Sequence, residues 1–217
     1  MQQFRENFPT AENVGNFYSQ FTPEGYEEQT KRVNFNETYF IKDEVVRLVT
    51  EPSSGVSPQS EFFDAGAGSG TLGKLLAQHG FNNMVACDAS SRFVEHLRTL
   101  GVYREASEVW LGRGVDRFPD HLKNRFDVVA AAGVWLKGHA PALGIEDCHV
   151  ALKTGGYLVT ALRSLYWENG QEEGYKDKFD ELVAQGKLRL IHSFLFQRGR
   201  PGEEGLFAPL ESRLLTF

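Results

Sequence analysis

Apolar positions along this chain fall first into a helical rhythm, in which Phe35, Tyr39, Phe40, Val45, Val46 and Val49 share one face. Residues 51–58, Glu-Pro-Ser-Ser-Gly-Val-Ser-Pro, predict a helix stop and a loop. Short apolar runs then alternate with helical stretches. Phe62-Phe63 runs into Asp64 and a glycine cluster, and residues 71–79 carry Leu72, Leu75 and Leu76 at helical spacing. Residues 84–87 form a second run that ends on Asp88, and Ser91 opens a helix with Phe93, Val94 and Leu97, capped by Ser90 or Ser91. A third strand is predicted at Val109-Trp110-Leu111 and a fourth over residues 126–132. A helix over 145–152 ends at Lys153-Thr154-Gly155-Gly156, a fifth strand covers 157–162, and a further helix carries Phe179, Leu182 and Val183 up to Gly186. Residues 188–196 and 206–217, on either side of Gly199-Arg200-Pro201-Gly202, predict an antiparallel hairpin.

Short apolar strands alternating with helices mean βαβ units, and hence an α/β fold whose parallel sheet is buried on both faces. The hairpin brings the predicted strands to seven and closes a mostly parallel sheet. The first stretch sets Phe8, Phe17, Tyr18, Phe21 and Tyr26 among polar residues. Disordered tails are poor in aromatics, so part of this stretch is expected to dock. Two parts are expected: residues 1–35 as an aromatic leader or lid, and residues 36–217 as the main domain.

Composition narrows the function classes. At 217 residues, with 41% apolar and 24% charged, the chain is suited to one soluble core. A net charge of -6 argues against a broad basic face for nucleic acid. Cys87 and Cys148 are the two cysteines and fall in predicted core elements, so reduced thiols are expected rather than a disulfide framework. Residues 1–16 show no secretory pattern and no window is long enough to span a bilayer, which predicts a cytoplasmic protein without a membrane anchor.

The chemistry-bearing segment is Asp64-Ala65-Gly66-Ala67-Gly68-Ser69-Gly70. A strand that runs through glycines into a helix brings a ligand close to the main chain and to the positive end of a helix dipole. The dinucleotide pattern G-x-G-x-x-G needs a third glycine where this chain has Thr71. Asp64 at the loop's entrance repels a pyrophosphate and suits a ligand with an ammonium and a sulfonium. Asp88 suits a ribose diol, because a carboxylate accepts from both hydroxyls; that holds equally for the adenosine of a dinucleotide.

Strand, D-x-G-x-G-x-G, helix, strand and acid together resemble a class I, Rossmann-like, S-adenosylmethionine-dependent methyltransferase. Residues 126–133 resemble that class's fourth strand and residues 154–158 its turn into strand five. Within the class the chain is similar to the family of the methyltransferase-like protein of the Williams–Beuren syndrome chromosome region. Tyr18 with Tyr26, Asp127-Val128-Val129, Lys153-Thr154-Gly155-Gly156 and Tyr175-Lys176 carry that likeness, although Ala67 and Ser69 stand where the family has Cys and Thr. The resemblance implies that Asp64, Ala65, Gly66 and Gly68 surround the methionine half of the cofactor. It places Asp88 on the ribose, Ala89 on the adenine face, Leu111-Gly112-Arg113 at the adenine edge, and Ala132-Gly133-Val134 near the sulfonium. S-adenosylhomocysteine is the implied product.

Tyr18 and Tyr26 are candidates to close over the cofactor, and His139 is the candidate general base. Trp135, Lys137, Arg163, Tyr166 and Trp167 are candidates for the acceptor side, with Trp135 either facing a cation or filling the core. No metal set is expected, since the six histidines are scattered. The expected acceptor is a small molecule. Two alternatives stay open: a non-catalytic S-adenosylmethionine-binding module, and an NAD-dependent oxidoreductase.

Overall fold

The computed structural model describes residues 18, 20–32, 35–167, 172–198 and 210–217. Phe8, Phe17, the predicted turn at 199–202 and residues 206–209 lie outside these. The strands are β1 (Phe62–Ala65), β2 (Met84–Asp88), β3 (Glu105–Glu108), β4 (Phe126–Ala131), β5 (Leu152–Arg163), β6 (His192–Arg198) and β7 (Leu210–Thr216). They form one sheet in the order β3-β2-β1-β4-β5-β7-β6. Strands β1 to β5 pair in parallel, and β7 lies antiparallel between β5 and β6. This is the seven-stranded, Rossmann-like sheet predicted from the sequence.

Helices α1 (Pro23–Arg32), α2 (Glu37–Thr50), α3 (Thr71–Ala77), α4 (Ser91–Thr99), α5 (Gly144–Ala151) and α6 (Tyr175–Ala184) surround it. Because successive strand residues point to opposite faces, each interior strand feeds two cores. Phe62, Val128, Ala130, Val159 and Leu214 pack with Ile41, Val45 and Leu48 of α2 and Leu72 and Leu76 of α3. Phe63, Ala65, Val129, Leu158 and Phe217 pack with Ile145 and Cys148 of α5 and Phe179 and Leu182 of α6. Phe63 stacks on Phe126 at 4.8 Å and Phe179 on Phe217 at 4.8 Å.

Two sequence expectations are corrected, and a third, the cap of α4, holds in position but not in bonding. Strand β3 lies at Glu-Ala-Ser-Glu, ahead of the apolar Val109-Trp110-Leu111, because an edge strand needs to bury one face at most. Its Ala106 is buried and its Ala106 carbonyl accepts Arg98 Nε at 3.0 Å, a charged cover for an open edge. Strand β5 begins at Leu152, so Lys153 to Gly156 form an irregularity in the β4–β5 register rather than a turn ahead of the strand. Ser90 occupies the N-cap of α4 without a side-chain cap bond, and its own N–H is instead bound by Asp88 Oδ1 at 2.9 Å.

One buried acid ties the far edge of the sheet to α2. Glu44, 3% exposed, accepts both Arg47 Nε at 2.9 Å and Arg47 Nη2 at 2.8 Å, and the Thr216 hydroxyl at 2.6 Å. His192 Nδ1 lies 3.1 Å from both Glu44 oxygens. Burial works against the Glu44 charge, but these bonds outweigh it and hold its pKa below the usual value.

Candidate functional site

The site lies beyond the C-terminal ends of β1, β2 and β4, where an open parallel sheet leaves its crevice. The glycine loop leaves β1 with Gly66 at φ +74° and enters α3 through Gly70 at φ +74°. A side chain at Gly66 would stand 2.7 Å from Val134 Cγ2, so the glycine permits both the turn and the close passage of the loop after β4.

Four of the loop's own donors are already used. Gly66 and Ala67 both donate to the Cys87 carbonyl, at 3.0 and 2.9 Å, and Gly70 N–H donates to the Ala67 carbonyl at 2.9 Å. Gly68 N–H donates to Asp88 Oδ2 at 2.9 Å. An anion cradle needs such N–H groups pointed at the ligand, so this loop is shaped to pass a ligand rather than grip a phosphate. Asp88 keeps lone pairs beyond the two it spends on Gly68 and Ser90, because a carboxylate offers about four acceptor positions. Burial pushes the Asp88 pKa up, while the N–H bonds from Ser90, Gly68 and Ala89 oppose the shift.

Two cavities flank the loop and share Tyr26, Gly66, Gly68 and Ala132. The more apolar one is lined by Tyr18, Asp88, Ala89, Ser90, Phe93, Val109, Trp110, Leu111, Gly133, Val134, Gly138, His139 and Ala140 in addition to the shared residues. The polar one adds Asp64, Ala67, Ser69, Thr71 and Leu72 to residues of α1 and α2, among them Glu27, Thr30, Lys31 and Thr38. The sequence-predicted residues Tyr18, Tyr26, Asp64, Gly66, Gly68, Asp88, Ala89, Leu111, Ala132, Gly133, Val134 and His139 are thus gathered around one loop.

Ala65, Gly112 and Arg113 are not on either wall. Ala65 is fully buried in the sheet. Gly112 N–H is bound by Asp147 Oδ2 at 2.6 Å, which fastens the loop after β3 onto α5. Arg113 is exposed, with its guanidinium 4.5 Å from the Trp110 ring centroid. Trp110, Phe93 and Ser90 line the cavity and are not among the sequence-predicted residues; the apolar pattern hides Trp110 inside a predicted strand. Their signal is position, just past β2 and β3.

Trp135 is 1% exposed and belongs to the core. Its indole N–H donates to Thr160 Oγ1 at 2.6 Å, and that hydroxyl donates to the Ala131 carbonyl at 2.7 Å. The pair pins the loop after β4 and thereby holds the Ala132–Val134 wall. Glu37, buried at the start of α2, accepts Gly133 N–H at 2.6 Å from the other side. Lys137 pairs with Glu172 at 2.7 Å. Arg163, Tyr166 and Trp167 lie outside both cavities; Tyr166 packs on Tyr175 at 5.7 Å and Trp167 on Phe179 at 5.8 Å.

The described part of the leader covers the apolar cavity. Tyr18 Oη lies 2.6 Å from His139 Nε2, and the Tyr26 ring meets Phe93 edge to face at 5.5 Å. Helix α1 is clasped to α3 by Glu27 and Lys74 at 2.6 Å. Asp64 is 1% exposed, and burial pushes its pKa up to about 7 against the bond it accepts from the Tyr103 hydroxyl. Among the described residues no group of three or more His, Cys, Asp or Glu side chains is placed to hold a metal ion. No described helix is long and apolar enough to cross a membrane.

A methyltransferase-domain family matches residues 63–160, which include the glycine loop, Asp88 and the loop after β4. A search of curated proteins finds no match. Among solved structures, an S-adenosylmethionine-dependent methyltransferase of Leishmania major superposes with a TM-score of 0.63 at 13% identity, covering 94% of this chain and 81% of its own. The magnesium protoporphyrin IX methyltransferase ChlM of Synechocystis PCC 6803, with bound S-adenosylhomocysteine, gives 0.56 at 15% identity over 86% of this chain and 84% of its own. The [4+2]-cyclase SpnF gives 0.56 at 15% identity over 81% of this chain and 79% of its own. At these identities the structures establish the fold. Residues 63–160 match a methyltransferase-domain family, and the chain as a whole shares the fold of the methyltransferase structures just named.

Proposed function

We propose that this protein is an active enzyme that moves a methyl group from S-adenosylmethionine to a small-molecule acceptor. The observation that carries this is the glycine loop itself. The N–H donors of Gly66, Ala67, Gly68 and Gly70 are satisfied within the protein, the loop's flanks open into one apolar and one polar cavity, and the two cavities hold Asp88 and Asp64 respectively. The cofactor supplies an electrophilic methyl on a sulfonium. Asp88 holds the ribose hydroxyls, Ala89, Trp110 and Leu111 enclose the adenine, and Asp64 faces the ammonium from the polar side. Gly66 and Gly68 leave room where the cofactor crosses from one cavity to the other. The protein has to align acceptor and donor along one line at about 3–3.5 Å. The acceptor's lone pair forms the new bond as the carbon–sulfur bond breaks.

The aromatic leader, residues 1–35, is the lid over the domain of residues 36–217 in this reading. The finer likeness to the Williams–Beuren family rests on shared residue types, and in this chain those residues have structural work. Asp127 binds Glu61 N–H at 2.8 Å and Lys153 at 3.0 Å, and the Tyr175 hydroxyl donates toward the Leu136 and Ala140 carbonyls at 2.9 and 3.0 Å. A cytoplasmic, reducing setting fits the two buried free thiols, Cys87 and Cys148.

Thermal stabilisation by S-adenosylmethionine and S-adenosylhomocysteine, followed by assay of S-adenosylhomocysteine formation over a broad acceptor panel, tests the proposal. Absence of a shift at saturating cofactor sinks it. A shift without turnover favours the non-catalytic binding module; the cyclase SpnF shows that this fold does not by itself imply methyl transfer.

Two measurements separate the roles of single groups. Asp64, with its pKa at about 7, is neutral below that pH and ionised above it. The ammonium binds the ionised form, so affinity for S-adenosylmethionine is expected to rise roughly eightfold from about pH 6 to about pH 7.5. Flat calorimetric affinities across that window would remove Asp64 from the ammonium site. His139→Gln keeps a polar contact for Tyr18 but cannot take a proton near neutrality. With an acceptor that must lose a proton, it is expected to lower kcat by about a hundredfold and leave the cofactor Kd within about twofold; unchanged kcat excludes His139 as the base.

A further inference from the structure

Helix α3 carries a glycine, Gly73, in its first turn, where alanine is the better helix former. The reason for the glycine lies across the crevice. Tyr103, from the segment between α4 and β3, reaches over the helix so that a Cβ on Gly73 would land on the Tyr103 hydroxyl and Cζ. The hydroxyl donates to Asp64 Oδ2 at 2.6 Å and accepts Gly73 N–H at 3.2 Å. A buried carboxylate, a phenol and a bare helix backbone thus form one hydrogen-bonded unit directly behind the polar cavity wall that Asp64 lines.

We infer that Tyr103 is a positioning residue that aims the Asp64 carboxylate at the amino-acid end of the cofactor, and that Gly73 is glycine to admit its hydroxyl. This rests on the cofactor placement proposed above. The unit fixes the Asp64 rotamer from behind and directs one donor at the charge, which favours the carboxylate form that an ammonium needs. Neither residue reaches the adenosine, whose contacts lie on the other side of the glycine loop. Tyr103 therefore discriminates between ligands that carry the methionyl ammonium and ligands that do not.

Calorimetry with S-adenosylmethionine, S-adenosylhomocysteine and 5′-methylthioadenosine, which lacks the amino-acid portion, tests this on the wild-type protein, Tyr103→Phe and Gly73→Ala. Tyr103→Phe is expected to bind the first two about tenfold more weakly and 5′-methylthioadenosine within about twofold of wild type. Gly73→Ala, which displaces the hydroxyl while leaving Tyr103 present, is expected to reproduce that selective loss. If Gly73→Ala does not fold, Tyr103→Phe alone decides. Equal weakening of all three ligands, or no weakening of any, overturns the positioning role. A wild-type protein that binds none of the three overturns the cofactor reading instead.

Discussion

Asp88→Ala is expected to weaken S-adenosylmethionine binding by roughly a hundredfold, because two charge-assisted bonds to the ribose are lost at about 1.5–3 kcal/mol each, partly offset by water. The carboxylate has a double role. It faces the cavity, and it holds Gly68 N–H and Ser90 N–H at 2.9 Å each, so it joins the glycine loop to the start of α4. Those amides can turn to water in the variant, so the ligand-free protein should lose only a few degrees of thermal stability. Asp88→Asn keeps one acceptor oxygen and should fall between. Calorimetric titration of the three proteins checks the order, and wild-type affinity in Asp88→Ala would falsify the ribose assignment.

The largest stability effect is expected at Glu44. Glu44→Ala removes a buried carboxylate that serves Arg47, Thr216 and His192 at once. Breaking one side of such a buried charged set costs about 3–5 kcal/mol, and the half-exposed Arg47 should place this case near the lower figure. Denaturant unfolding followed by circular dichroism measures it. The pH dependence has a definite sign. The folded-state pKa lies below the unfolded value of 4.5, so the stabilisation is present in full above 4.5 and is lost as pH falls through the folded value. Glu44→Gln should therefore show a shallower acid-side slope than wild type, in which Glu27 and Glu105 also contribute; identical acid profiles would place the charge elsewhere.

Most of the sheet was legible because its strands are buried on both faces and read as plain apolar runs, as at Phe62-Phe63 and Val128-Val129. The exception, β3, is an edge strand, and Glu105-Ala106-Ser107-Glu108 has no reason to be apolar. The glycine loop and Asp88 were legible because close approach and ribose binding each demand a particular residue type. Tyr103 was not legible: its role depends on a contact with Asp64, 39 residues away in sequence. Gly73 was a visible signal, an unexplained glycine in a helix. Trp135 left core and site equally open until the Thr160 bond at 2.6 Å decided for the core.

The strand order carries a consequence for the time course of folding. β7 follows β6 in the chain yet lies between β6 and β5. β6 is joined to the sheet through β7 alone, so it takes its place only when β7 pairs with both β6 and β5. Non-local pairings of this kind slow folding and leave an interim edge open to aggregation. During that interval the exposed edge is β5, whose Val159, Thr160 and Ala161 are later covered by Thr216, Leu215 and Leu214. Glu44 on α2 reaches Thr216 only with β7 in place, so the same contact that stabilises the finished protein rewards this strand for closing the sheet.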